Sequence, residues 1–155
     1  LLEDLLDKLK NGNAPARYTA ANKLGKMGEM AAIDHLIDAL DDEDEMVRDN
    51  VIFALGELGG SSAVPRIIRV LKSDKSGRAR KSAAKTLGML KAGSSVRALT
   101  AALKDEDFKV RKSAARALGR IGDTSAVPAL TEALKDPDLT VVKYVEDALE
   151  RLTGL

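Results

Sequence analysis

The chain has no cysteine, no tryptophan and a single histidine, His35. Without thiols there are no disulfides, no thiolate zinc sites and no cysteine nucleophiles, and one imidazole cannot build a multi-histidine metal centre. Aromatics make up only 3% of the residues, so small aliphatic side chains must build the core. No stretch approaches the roughly 18 consecutive apolar residues of a membrane span. The opening Leu1-Leu2-Glu3-Asp4 also lacks the basic-then-apolar layout of a secretion signal. No membrane partner and a cytoplasmic residence are therefore expected. The first residue is not Met, which points to a processed or excerpted chain. An excess of one charge is missing too: 25 Lys and Arg face 24 Asp and Glu, for a formal +1. Averaged over the chain, that balance favours no polyanion.

What is present is a repeat. Leu24-Gly25-Lys26-Met27, Leu55-Gly56-Glu57-Leu58, Leu87-Gly88-Met89-Leu90 and Leu118-Gly119-Arg120-Ile121 are followed by a degenerate Leu149-Glu150-Arg151-Leu152, in steps of 31, 32, 31 and 31. A second column, Asn13, Asp44, Ser76, Asp107 and Asp138, keeps the same steps, and each is a favoured helix N-cap. The one extra residue falls between Leu71 and Ser76, where a loop insertion is expected. The 155 residues are thus five periods of 31.

Each period holds two helical patterns. In helix A, Val110, Ala114, Ala117, Leu118 and Ile121 form a helix stripe rather than a strand alternation. In helix B, Val127, Leu130 and Leu134 recur as Ile33, Leu36 and Leu40, and so on through the chain. Gly28, Gly59 and Gly122 follow helix A where a left-handed residue ends a helix. Pro65 and Pro128 fall in the first turn of B, where a missing N–H costs least. The expectation is one all-α domain, 1–155, an α-solenoid of about ten helices. It divides into an N-terminal B helix over 1–12, repeats over 13–43, 44–75, 76–106 and 107–137, and a capping helix over 138–155. Stacking lets each pair bury a stripe it cannot bury alone.

The string Val-Arg-x-x-Ala-x-x-x-Leu-Gly-x-Ile-Gly-Asp-x-x-Ala-Val-Pro-x-Leu, from Val110 to Leu130, resembles the HEAT-like repeat named after the phycobilisome lyases. The resemblance runs through the whole chain and specifies fold far better than function. It implies that Arg17, Arg48, Arg80 and Arg111 bridge repeats to acids among Asp41, Asp42, Asp74, Asp105 and Asp136. HEAT-like deoxyhypusine hydroxylases use repeated His-Glu pairs for iron, and here the only His is followed by Leu36. HEAT-like DNA glycosylases use aromatic residues that have no counterpart here. Phycobilin lyases share the repeat, and no pattern in this chain marks a bilin site. Variation between repeats at surface positions suits a natural chain, with an artificial HEAT-like binding scaffold as the other source.

Gly25, Gly56, Gly88 and Gly119 lie inside helix A, where Gly costs about 1 kcal/mol relative to Ala. Close helix approach is the reason expected. In the last A helix Val142, Glu146 and Glu150 replace Arg, a small apolar residue and Gly, the pattern of a polar cap. In the first B helix Leu1, Leu2, Leu5, Leu6 and Leu9 are expected to expose an apolar side, as a truncation point or docking surface. The acidic run from Asp41 to Glu45 lacks the Gly and distal Glu of a calcium loop and reads as acids favoured by a helix N-terminus.

Charge is segregated. Residues 1–60 carry net −7, 61–121 net +12 and 122–155 net −4. On the B-helix face, expected to be concave, Asp34, His35, Asp38, Arg66, Arg69, Lys72, Arg97 and Ala101 form a varied surface. Such a surface suits a protein or peptide partner, and Asp38 and Arg69 could pair across helices. On the A-helix face, Arg78, Lys81, Lys85, Lys109, Lys112, Arg116 and Arg120 could hold phosphates, with no aromatic residue interleaved for stacking. The expected function is a non-enzymatic scaffold working through the B face, without metal or cofactor and as a monomer or weak self-associate. Binding of nucleic acid or another polyanion through the A face, and an accessory or lyase-like role in attaching a chromophore or cofactor, are the alternatives.

Overall fold

The computed structural model describes all 155 residues as ten α-helices with no strand. They are α1 (Leu2–Asn11), α2 (Ala14–Met27), α3 (Ile33–Asp38), α4 (Glu45–Leu58), α5 (Val64–Ser73), α6 (Gly77–Met89), α7 (Val96–Ala102), α8 (Phe108–Ile121), α9 (Val127–Ala133) and α10 (Leu139–Thr153). Even-numbered helices are the long A helices and odd-numbered ones the shorter B helices. Single 3₁₀ turns lead into α3, α5, α7 and α9. No helix is long and apolar enough to cross a membrane.

The long helices start where their caps stand. Side chains of Asn13, Asp44, Ser76, Asp107 and Asp138 each accept a backbone N–H from the first turn. They end at left-handed residues, Gly28, Gly59, Gly122 and Gly154. At the end of α6 the same place is filled by Lys91, the one non-glycine with positive φ (50°).

The extra residue of the third period is absorbed by a helix and not by the loop. Three of the short helices tighten at their ends, where the N–H groups of Asp42, Asp105 and Asp136 donate to carbonyls three residues back. Helix α5 instead keeps the α-helical bond from the Asp74 N–H to the Val70 carbonyl. A 3₁₀ turn holds fewer residues than an α turn, so the longer linker segment is simply the untightened one.

Each short helix packs chiefly on the long helix that follows it, giving hairpins α1–α2, α3–α4, α5–α6, α7–α8 and α9–α10. The long helices then stack as a continuous layer, α2 on α4 on α6 on α8 on α10. An ideal Cβ placed on Gly88 would lie 2.7 Å from the Ala117 Cα, so only glycine admits that backbone approach. Gly25 meets Ala54 in the same way, at 2.9 Å. Among the short helices only α5 and α7 meet in more than passing contact. The short helices contain no glycine, so close backbone approach of this kind belongs to the long-helix layer.

One continuous cluster of Leu, Ala, Val and Ile fills the space between layers. It includes Leu5 and Leu9, which are 2% and 4% exposed, so α1 does not bare the side expected of it. Leu2 and Leu6 are half-buried against the same cluster, and only Leu1 stands free.

The arginine column ties the hairpins together. Arg48 donates from Nε and Nη2 to both oxygens of Asp74 (2.8 and 2.9 Å) and from Nη1 to the Asp42 carbonyl (2.8 Å). Arg17 binds Asp42, Arg80 binds Asp105 and Arg111 binds Asp136 through the same two-pronged geometry. Each of these carboxylates also accepts the N–H of the next cap residue, as Asp74 does from Ser76 at 2.9 Å. The planar guanidinium fork matches such a site where a Lys would not. Hydrogen bonding to these carboxylates raises the pKa of Arg17, Arg48 and Arg80 above that of a free arginine.

Candidate functional site

The two faces of the stack differ in what the fold leaves free. On the short-helix side, His35 and Asp38 of α3 border a groove of about 450 Å³ with Leu6, Leu9 and Lys10 of α1. Arg97 and Ala101 of α7 border a separate groove of about 850 Å³ with Ala129 and Ala133 of α9. Asp34, Arg69 and Lys72 line neither groove. Arg66 is drawn to Asp41, its Nη2 donating to Oδ1 at 2.7 Å, so the anticipated Asp38–Arg69 pair gives way to this one. The expected B-face site is thus split between two grooves rather than assembled.

The three aspartates of the acidic run are likewise taken up within the chain. Asp41 holds Arg66, Asp42 holds Arg17, and Asp44 caps α4 by accepting from Met46 and Val47.

The long-helix side assembles a site. Lys81 and Lys85 of α6, Lys112, Arg116 and Arg120 of α8, and Tyr144 of α10 line one cleft of about 160 Å³. Arg116 and Tyr144 are shared with a wider groove of about 700 Å³ along α8 and α10, which adds Lys143, Asp147, Glu150 and Arg151. The Lys112 Nζ sits 5.5 Å from the centroid of the Tyr144 ring, close enough for a cation–π contact. Arg78 and Lys109 line a third cleft beside it, with Lys81, Ser82 and Asp107. Arg78 is partly occupied, donating to the Met46 sulfur at 3.0 Å and lying 3.8 Å from Asp49.

None of Lys81, Lys85, Lys112, Arg116 and Arg120 forms an ion pair. They follow the helix repeat at i, i+4, so like charges stand over one another at a cost of about 0.2–0.5 kcal/mol per pair. The ladder arginines, by contrast, all find carboxylates. The cleft is lined by unpaired cations with one aromatic wall and has neither Cys nor His, so its charge favours an anion over a cation.

Tyr144, Lys143 and Arg151 were not expected. They occupy the columns of Ser113, Lys112 and Arg120 one period on, so the same register exposes them once α10 counts as part of the face and not only as a cap. Tyr144 supplies the aromatic neighbour that the basic patch lacks in the linear sequence.

A family model described as HEAT repeats matches residues 2–87 and again 65–150. The chain is 41% identical over 71 residues to phycocyanobilin lyase subunit alpha of Synechococcus elongatus. It is 37% identical over 70 residues to the protein of the same name from a Picosynechococcus species. It covers 26% of the length of each of these relatives and matches them over 46% and 45% of its own. Among solved structures, a chain in the complex of CpcE and CpcF of phycocyanin lyase from Nostoc sp. PCC7120 aligns over the whole of this one. The TM-score is 0.88 at 31% identity, with 66% of that chain covered. A designed armadillo repeat protein in complex with the peptide (KR)4 aligns over 98% of this chain and 82% of its own length, at TM-score 0.75 and 19% identity, and speaks to the fold alone.

These relatives overturn two expectations, the scaffold function and the absence of enzymatic character. Neither stands beside curated relatives that are subunits of a lyase.

Proposed function

The chain belongs to the HEAT repeat family, and from that premise we propose that it is a segment of a bilin-lyase subunit, acting in the attachment of an open-chain tetrapyrrole to a protein. One observation carries the reading: over 71 residues, 46% of its length, the chain is 41% identical to a phycocyanobilin lyase subunit. The 0.88 superposition on a chain of the Nostoc complex supports it from the side of shape. That structure pairs two subunits of one lyase, and a second protein subunit is the partner proposed for this chain. The chain spans about a quarter of the curated relatives, so the reading concerns the part it plays in a longer activity.

The test mixes the protein with a CpcF-type subunit, phycocyanobilin and apo-phycocyanin, and scores bilin fluorescence retained on the phycocyanin after denaturing electrophoresis. Retained bilin supports the reading. Bilin that stays free, under conditions where the Nostoc CpcE and CpcF pair attaches it, sinks the reading.

A further inference from the structure

We propose that the cleft of Lys81, Lys85, Lys112, Arg116 and Arg120, walled by Tyr144, is where this chain holds the carboxylate groups of its tetrapyrrole ligand. The inference rests on the bilin-lyase reading and adds to it the place where the ligand's carboxylates are held.

Three observations converge on it. First, five cations from two adjacent helices meet at one cleft, and none of them is neutralised by the protein. The four ladder arginines are each paired with a carboxylate, and what sets this place apart from the chain's other free cations is that five of them line one cleft. Second, the cleft itself is small, about 160 Å³, and opens onto the larger groove of about 700 Å³ through the shared Arg116 and Tyr144. An extended ligand could seat its acidic side chains in the first and its body in the second. Third, the one aromatic ring at the junction stands where a conjugated system would pass, with Lys112 over it.

The chemistry of a bilin fits these demands. Phycocyanobilin carries two propionate carboxylates on an open-chain conjugated system. Arg116 and Arg120, one helical turn apart, offer forked donors to carboxylates, and the lysines supply point charge. The like-charge repulsion that the free cleft sustains is relieved when those carboxylates arrive. A nucleic acid would meet the same cations. However, successive bases need successive stacking platforms, and the cleft has one aromatic residue.

The chain has two tyrosines, Tyr18 and Tyr144, and no tryptophan, which makes the test direct. In a Tyr18→Phe background Tyr144 is the sole emitter, and its quenching reports ligand in the cleft. The Tyr144→Phe chain, emitting from Tyr18 on α2, corrects for absorption by the bilin. Phycocyanobilin and its dimethyl ester are titrated into the Tyr18→Phe protein and into the same protein carrying Lys112→Glu and Arg116→Glu. Circular dichroism confirms that the helices persist.

The free acid is expected to quench Tyr144 with an affinity about tenfold or more above that of the ester, and the reversed variant to lose about tenfold or more. Equal binding of acid and ester, no Tyr144 quenching beyond the Tyr18 control, or no effect of the reversal overturns the proposal. If the wild-type chain still supports covalent attachment under any of those outcomes, the bilin-lyase reading survives and only the site is wrong. A single-stranded oligonucleotide that displaces the bilin at lower concentration than the bilin binds also overturns it, in favour of a polyanion site.

Discussion

Helix α4 is capped by Asp44, sets Gly56 against α6 and ties Arg48 to Asp74. Helix α8 is capped by Asp107, sets Gly119 against α10 and ties Arg111 to Asp136. The two frames are interchangeable. Their outward residues are not: at the positions where α8 shows Lys112, Arg116 and Arg120, α4 shows Asp49, Phe53 and Glu57. The contrast teaches that stability and recognition are carried by different columns of the same helix. Frame residues repeat because they answer to the neighbouring repeat, whereas the outward columns vary: Asp49 accepts from Ser82 and lies beside Arg78, and Lys112, Arg116 and Arg120 meet no carboxylate.

The largest expected effect lies in the frame. Arg48→Ala leaves the Asp74 carboxylate, whose side chain is 8% exposed, without its partner. That loss is expected to cost about 3 kcal/mol or more. The partner of Arg66, Asp41, has a side chain that is 75% exposed. Removing Arg66 is therefore expected to cost less than about 1 kcal/mol. Urea unfolding of the two variants measures both, and similar losses would contradict the distinction between frame and surface.

A smaller difference is expected within one frame column. Gly88→Ala forces a Cβ onto the backbone of Ala117. It is expected to cost about 1–2 kcal/mol after its gain in helix propensity. At Gly56 the new Cβ meets only the Thr86 side chain, at 3.0 Å. Gly56→Ala is accordingly expected to fall within about 0.5 kcal/mol of wild type. Thermal melts of the pair decide whether glycine serves backbone approach at one crossing more than at the other.

Lys91→Gly acts on the frame in the opposite direction. It gives the third long helix the left-handed glycine its neighbours already have. The change is expected to stabilise by about 1 kcal/mol. A chemical-denaturation midpoint that does not rise would contradict this.

The smallest effect concerns pH. The Thr140 hydroxyl donates to Asp138 and holds its carboxyl below the usual carboxylate range, with the backbone N–H groups of Val141 and Thr140 adding to the effect. A group with a depressed folded pKa contributes stability above its unfolded pKa, and the contribution is lost as pH falls through the folded value. Asp138→Asn cannot titrate, so the difference in urea midpoint between it and wild type should shrink between pH 7 and pH 3. A constant difference would rule out the linkage.

Much of the frame was legible in the sequence because it repeats. Asn13 to Asp138, the glycines and the arginines declare themselves by recurring at one spacing, and the acids that pair with the arginines were implied by the resemblance. The site was half legible. Lys112 and Arg116 stood out as charge, but Tyr144 belongs to a helix whose acidic substitutions drew attention to its role as an end. The pairing of Asp41 with Arg66 over the alternatives needed the fold, because both acids in that stretch lie within reach in a linear reading.

The central claim is that function resides in the outward columns of α6, α8 and α10. It is tested most directly by charge reversal within one column: Arg120→Glu on α8 against Lys26→Glu on α2, each assayed for bilin attachment to apo-phycocyanin in the presence of the CpcF-type subunit. Attachment is expected to fall about tenfold or more for Arg120→Glu and to stay at the wild-type level for Lys26→Glu, with unchanged circular dichroism in both. Equal attachment by the two variants would contradict the account.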